Sequence, residues 1–164
     1  MNPNGLVPVL IDDEITLYDS VAILSYLAKT YADVNWFPDN TIQLSKVIRW
    51  LAFEQSEGRY GLARARAIAL NNPSSLAHTG SLQESQVIGM AALETLNQQL
   101  SETKWLAGSS EATICDIACY PYTAMSSDGG LSLEPYDAIQ RWIEEIEGMS
   151  GYISLPGRPD KLAS

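Results

Sequence analysis

The β-rich runs of this chain are confined to its opening residues. Two of them, residues 6–11 and 15–18, are joined by Asp12-Asp13-Glu14 and read as a hairpin. A lone pair of strands is marginal in water, and a stable sheet needs further strands or a helix packed against it. The hairpin therefore requires a partner. Its first strand also carries a proline, Pro8, inside Leu6-Val7-Pro8-Val9-Leu10. Proline donates no ladder hydrogen bond, so this is either an edge strand or a place where a special backbone geometry is held.

Everything beyond the hairpin reads as helix. Asp19-Ser20 is N-cap chemistry, followed by Ile23, Leu24, Leu27 and Tyr31 at helical spacing. Residues 32–40 lose the period and read as a linker. A long helical pattern from Thr41 to Leu70 carries Leu44, Val47, Ile48, Leu51 and Leu62, and Asn71-Asn72-Pro73 stops it. Ser81-Leu82-Gln83-Glu84 is a capping box that opens a helix with Met90, Leu93, Leu96 and Leu100 inside. Gly108 marks a loop. Thr113-Ile114-Cys115-Asp116 is a second capping signature, with Gly129-Gly130 ending its helix. Pro135 sits at a helix start before Ile139, Trp142, Ile143 and Ile146, and residues 155–159 read as loop. The pattern is a strand–strand–helix fragment followed by a bundle of at least four helices.

Composition narrows the function. Hydrophobic residues make up 46% of the 164, enough for a packed core, which excludes a disordered chain. A net charge of −10 argues against nucleic acid and against an anionic membrane surface, both of which need a basic face. No stretch approaches the ~18 apolar residues of a membrane span, and no basic-then-apolar leader is expected at the N-terminus. Cys115 and Cys119 read as buried thiols in a reducing cytoplasm. A metal site is not expected, because His78 is the only histidine and no further cysteine completes a zinc set.

Taken in order, "NPNGLVPVL", "LYDSVAILSYLAKTY", "WFPD", "KWLAG", "TICDIACYPY" and "GGLSLEPYDAIQRWIEEIEGMSGY" resemble the glutathione transferase family, of the bacterial cytosolic type. Each motif alone is weak; their order and spacing make the match. The resemblance implies a β-β-α remnant of a thioredoxin-like domain over residues 1–32, a linker over 33–40 and an all-helical domain over 41–164. The family's first β-α-β unit has no counterpart here, which implies an N-terminally shortened chain.

The resemblance also assigns roles. Val7-Pro8 matches a pair whose cis bond turns the backbone of Val7 toward the cysteinyl main chain of glutathione, in the manner of strand addition. Ser20 matches the donor to the γ-glutamyl carboxylate at a helix N-terminus, and Asp19 the partner of its ammonium. Capping explains Asp19 and Ser20 equally well and is compatible with binding. Leu6 stands where relatives often carry a polar or basic residue, which implies weaker or shifted binding, and Asn4 is without a firm role. Thr113 and Asp116 match a structural capping box. Trp50, Tyr60, Tyr122 and Arg64 are candidates to line a pocket for an apolar co-substrate, although aromatic residues at helical spacing are more often core. Arg49, Arg59, Arg64 and Arg66 read either as surface partners of acids such as Glu54 and Glu57, or as cleft or interface residues.

Glutathione is thus an expected co-substrate, not a cofactor, and a small electrophile the second one, in a detoxifying conjugation by a homodimer. The family's thiolate-stabilising Ser, Tyr or Cys lies in the region without a counterpart. No catalytic residue is assigned here, and this chain alone is expected to be weakly active or inactive. The alternative is a non-catalytic interaction module built on the same fold.

Overall fold

The computed structural model describes residue 5, residues 7–72 and residues 79–156. Asn4, Leu6, Pro73, His78 and residues 157–159, all singled out above, lie outside the described residues.

β1 (Val9–Asp12) and β2 (Ile15–Tyr18) pair antiparallel, with Val9 opposite Tyr18 and Asp12 opposite Ile15. They form a two-stranded sheet. α1 (Ser20–Tyr31) packs beside β2, and its phenols hold the hairpin turn: Tyr26 donates to the Asp12 carboxylate at 2.9 Å, and Tyr31 donates to the same oxygen. These two hydrogen bonds hold the Asp12 carboxyl below its ordinary range and push the Tyr31 phenol up to about 12. The hairpin's partner within this chain is therefore a helix. α1 in turn buries Ala28 and packs on the helical body.

A single turn of 3₁₀ helix, Val34–Trp36, carries the linker, whose Trp36 and Phe37 rest on the core. Lys29 pairs with Asp39 and sits 5.4 Å from the centre of the Phe37 ring. The chain then enters a long rod, α2 (Thr41–Phe53), capped by the Asn40 side chain. The periodicity predicts one α-helix to Leu70. The structure instead runs α2 into a π-helix, Glu54–Ala63, and then into α3 (Arg64–Ala69). The wider turn carries both glycines of the rod, Gly58 and Gly61.

α4 (Leu82–Glu102) crosses this π-helix, and Ser81 and Glu84 form the capping box at its start. α5 (Ile114–Ala124) continues through Pro121 and stops before a 3₁₀ turn, Ser126–Gly129; Gly130, at φ 79°, closes it. The glycine pair thus ends the 3₁₀ turn, not the α-helix proper. α6 (Asp137–Glu147) begins two residues after Pro135. One core unites these elements, with Trp50, Leu62, Leu96, Leu106, Ile139 and Trp142 fully buried. α1 and the linker dock on that core, which fixes the hairpin end relative to the rod.

Candidate functional site

The hairpin register brings two dipeptides to one end of the sheet. With Val9 opposite Tyr18, the chain before β1 and the chain after β2 leave the ladder side by side, so Val7-Pro8 and Asp19-Ser20 are neighbours. The Val7–Pro8 bond is cis, and Val7 is 91% exposed, leaving its main chain open to a partner.

Asp19 occupies an unusual conformation for a residue with a side chain, φ 88° and ψ 128°. Such backbone costs of the order of 1–3 kcal/mol and concentrates at functional sites. Its Oδ1 accepts from the N–H groups of Val21 at 2.9 Å and Ala22 at 3.3 Å, satisfying two orphan donors of α1. That leaves Oδ2 without a bond among the described residues. Ser20 is the first residue of α1, half-buried, and its hydroxyl has no partner among the described residues. The site therefore offers an exposed main chain, a helix N-terminus, and a hydroxyl and one carboxylate oxygen that have no partner among the described residues. Such groups can pair with an extended backbone and hydrogen-bond to charged ends of a ligand.

A second carboxyl, that of the first residue of the π-helix, feels the charge of Asp19. Glu54 is 8% exposed, and burial raises its carboxyl above the ordinary 4.5, with the Asp19 charge adding to the effect and Arg59 and the Gln55 amide opposing it. The sequence suggested a surface ion-pair partner for the arginines; the structure buries it instead. No period-based argument marks Glu54, because a π turn moves side chains off the 3.6-residue stripe. The glycines at 58 and 61 were the available signal. The folded protein holds the Glu54 proton more tightly than the unfolded chain does. Stability from that proton is complete below pH 4.5 and is lost as pH rises through the higher folded value. Glu54→Gln mimics the protonated form. Its urea midpoint is expected to exceed that of the parent at pH 7 and to match it near pH 4. Equal midpoints at pH 7 would show that Glu54 is not destabilised by its surroundings.

Of the four candidates for a co-substrate pocket, Arg64 and Tyr60 lie together, and Trp50 is in the core. Trp50 is 1% exposed in the core, edge-on to Phe53 and covered by the Arg49 guanidinium. Arg64, also buried, donates to the Ser85 hydroxyl at 2.7 Å and the Thr79 carbonyl at 3.2 Å, tying α3 to the start of α4. Tyr60 is exposed beneath that guanidinium, and Tyr122 is exposed on α5. Arg66 pairs with Asp128 and not with Glu54 or Glu57. A wide hollow of about 750 Å³ lies at the opposite end of the hairpin, lined by acids and by Tyr26 and Tyr31, away from Ser20. Thr113 and Asp116 lie at the buried start of α5, where the carboxylate accepts from the Thr113 N–H at 2.9 Å.

Neither thiol is available for chemistry. Cys115 and Cys119 are buried, burial pushes both well above the ordinary thiol range, and the Cys119 thiol donates to the Trp50 carbonyl. Among the described residues no group of side chains could hold a metal ion, and no helix is long and apolar enough to cross a membrane.

The fold has counterparts among known proteins. A family described as "Glutathione S-transferase, N-terminal domain" matches residues 1–35. The crystal structure of a glutathione S-transferase from Pseudomonas fluorescens Pf-5 superposes with a TM-score of 0.82 at 31% identity, over 93% of this chain and 75% of that one. A glutathione S-transferase structure from Xanthobacter autotrophicus Py2 gives 0.83 at 29% identity, over 94% and 74%. Glutathione S-transferase GstB of Escherichia coli K12 is 28% identical over 151 residues, 89% of this chain and 71% of its own length.

Proposed function

Because the chain belongs to the glutathione S-transferase family, we propose that the hairpin end binds the γ-glutamylcysteinyl part of glutathione, for transfer of its thiolate to a small electrophile. In that reaction a sulfur–carbon bond forms at the electrophilic carbon as the leaving group departs with its electron pair. Residues 1–32 carry the tripeptide half-site, 33–40 the linker and 41–164 the helical domain, and the protein works as a homodimer.

The observation that carries this proposal is the register that sets Val7-Pro8 beside Asp19-Ser20. Division of labour at Asp19 supports it too. Oδ1 is used to cap α1, while Oδ2 is left for an ammonium, so one side chain serves fold and ligand together. Ser20 lies where orphan N–H groups and the helix dipole favour a carboxylate. The main chain of Val7 is exposed for pairing with the cysteinyl unit. No residue of this chain is assigned the thiolate-stabilising role: both cysteines are buried and held as thiols. Turnover by this chain alone is accordingly expected to be close to the uncatalysed rate.

Calorimetric titration with glutathione tests the binding half of the proposal. The parent chain is expected to bind weakly but saturably. Asp19→Asn keeps a capping oxygen and loses the charge, so affinity should fall about tenfold with little change in thermal stability. Ser20→Ala should lose a similar factor. An absence of saturable binding by the parent, or affinities unchanged in both variants, would remove the hairpin end as the glutathione site.

A further inference from the structure

α2 and α4 each keep a side turned away from the core, and both sides carry apolar residues. On α4, Val87, Met90 and Glu94 recur at spacings of three and four, opposite Gly89, Leu93 and Leu96, which face inward. Val87 is 58% exposed. On α2, Ile42 and Arg49, seven residues apart, share one outward side, away from Val47, Trp50 and Leu51. Ile42 is 69% exposed, and Ile48 is exposed beside Arg49. The rod and α4 meet main chain to main chain at Gly61 and Gly89, whose sequence neighbours Tyr60 and Met90 are both exposed. Apolar surface rimmed by charge marks an interaction face.

Charge identifies what fits there. α2 holds two bases, Lys46 and Arg49, and no acid; α4 holds three acids, Glu84, Glu94 and Glu102, and no base. Lys46, Arg49 and Glu94 are exposed, and none of them enters an ion pair among the described residues. Arg49 is held against the surface by its contact with the Trp50 ring, 4.7 Å from guanidinium to ring centre. One chain thus presents a basic apolar helix and an acidic apolar helix that do not pair with each other. A surface whose complement lies on the same molecule is self-complementary, which is the property of a two-fold interface between identical subunits.

We propose that α2 of one copy packs on α4 of a second copy across a two-fold axis, with Ile42 and Ile48 against Val87 and Met90, and with Lys46 and Arg49 opposite Glu94. The occupant of this face is therefore another molecule of the same chain. The proposal rests on the homodimer reading above and names the surface that carries it. None of these residues belongs to the hairpin end, so assembly and glutathione binding can be perturbed separately.

Sedimentation equilibrium of the full chain over a wide concentration range tests the proposal, with far-UV circular dichroism of each variant as the control for folding. The parent should reach a dimer and stop there. Val87→Asp and Arg49→Glu, both at exposed positions, should each weaken the dimer about tenfold or more while the spectrum is unchanged. Adding Glu94→Arg to Arg49→Glu restores opposite charges across the axis and should recover most of the loss. Asp19→Asn should leave the dimer as it is. A parent that stays monomeric throughout would overturn the homodimer reading itself. A parent dimer left unchanged by Val87→Asp and Arg49→Glu would overturn this surface alone. Absence of rescue by Glu94→Arg would overturn the pairing of α2 with α4, and association that grows past the dimer would overturn the two-fold arrangement.

Discussion

Asp116→Ala is expected to lower the unfolding free energy by about 4 kcal/mol, a large share of the ~5–15 kcal/mol that holds a domain of this size together. As a helix cap alone, the side chain would be worth only ~1 kcal/mol. The structure gives it four nitrogen and oxygen donors. Oδ1 accepts from the Leu106 N–H at 2.9 Å and the Trp142 indole N–H at 3.0 Å; Oδ2 accepts from the Thr113 N–H at 2.9 Å and its hydroxyl at 3.2 Å. Leu106, Thr113 and Trp142 are all buried, so truncation strands their donors away from water. Each stranded donor costs ~1–3 kcal/mol, offset in part because a buried carboxylate is removed with the side chain. Asp116→Asn retains one acceptor face and should lose about half as much. Equilibrium urea denaturation of both variants measures the difference. A loss for alanine no greater than ~1 kcal/mol would reduce Asp116 to an ordinary cap.

The second large effect lies where the rod crosses α4. A Cβ on Gly61 would come within 2.7 Å of the Gly89 nitrogen and 2.8 Å of its Cα, and a Cβ on Gly89 would meet a Leu131 methyl at 2.5 Å. Contacts with main-chain atoms cannot be relieved by rotating a side chain, so the helices must separate. Overpacking of this kind costs up to ~3 kcal/mol, against a gain of ~1 kcal/mol from replacing a helical glycine. Gly61→Ala is therefore expected to destabilise by about 2 kcal/mol net. Gly58→Ala provides the contrast, because its Cβ would find nothing nearer than 3.7 Å. It should be neutral or slightly stabilising, through helix propensity alone. The double variant Gly61→Ala/Gly89→Ala should cost less than the sum of the singles, since the helices separate once. Matching losses at 58 and 61 would mean that propensity, not contact, governs the rod.

Both effects bear on how much of the molecule was legible beforehand. The helix starts at Ser20, Leu82 and Ile114 were readable because capping is local chemistry: a side chain satisfies donors two or three residues away. The hairpin was readable for the same reason, from alternation and a short polar turn. The π-helix was not. Its wider turn coincides with a glycine-to-glycine crossing whose second member, Gly89, lies on another helix. Glu54 goes with it: its neighbours in sequence mark a solvated acid, and packing buries it.

At the candidate site the division is equally sharp. Val7, Pro8, Asp19 and Ser20 stand out in the sequence as a proline within a strand and a cap before a helix, each a property of adjacent residues. Their placement at one end of the sheet follows from the strand register. The strained backbone of Asp19, the burial of the Glu54 carboxyl and the unpartnered oxygen of Gln43 follow only from three-dimensional packing. Short-range hydrogen bonding and hydrophobic period are written into neighbouring residues, so the sequence determined the elements and their ends. Burial depends on which distant segments meet, so the tertiary structure alone decided which polar groups are enclosed, which are satisfied and which are left open to a ligand.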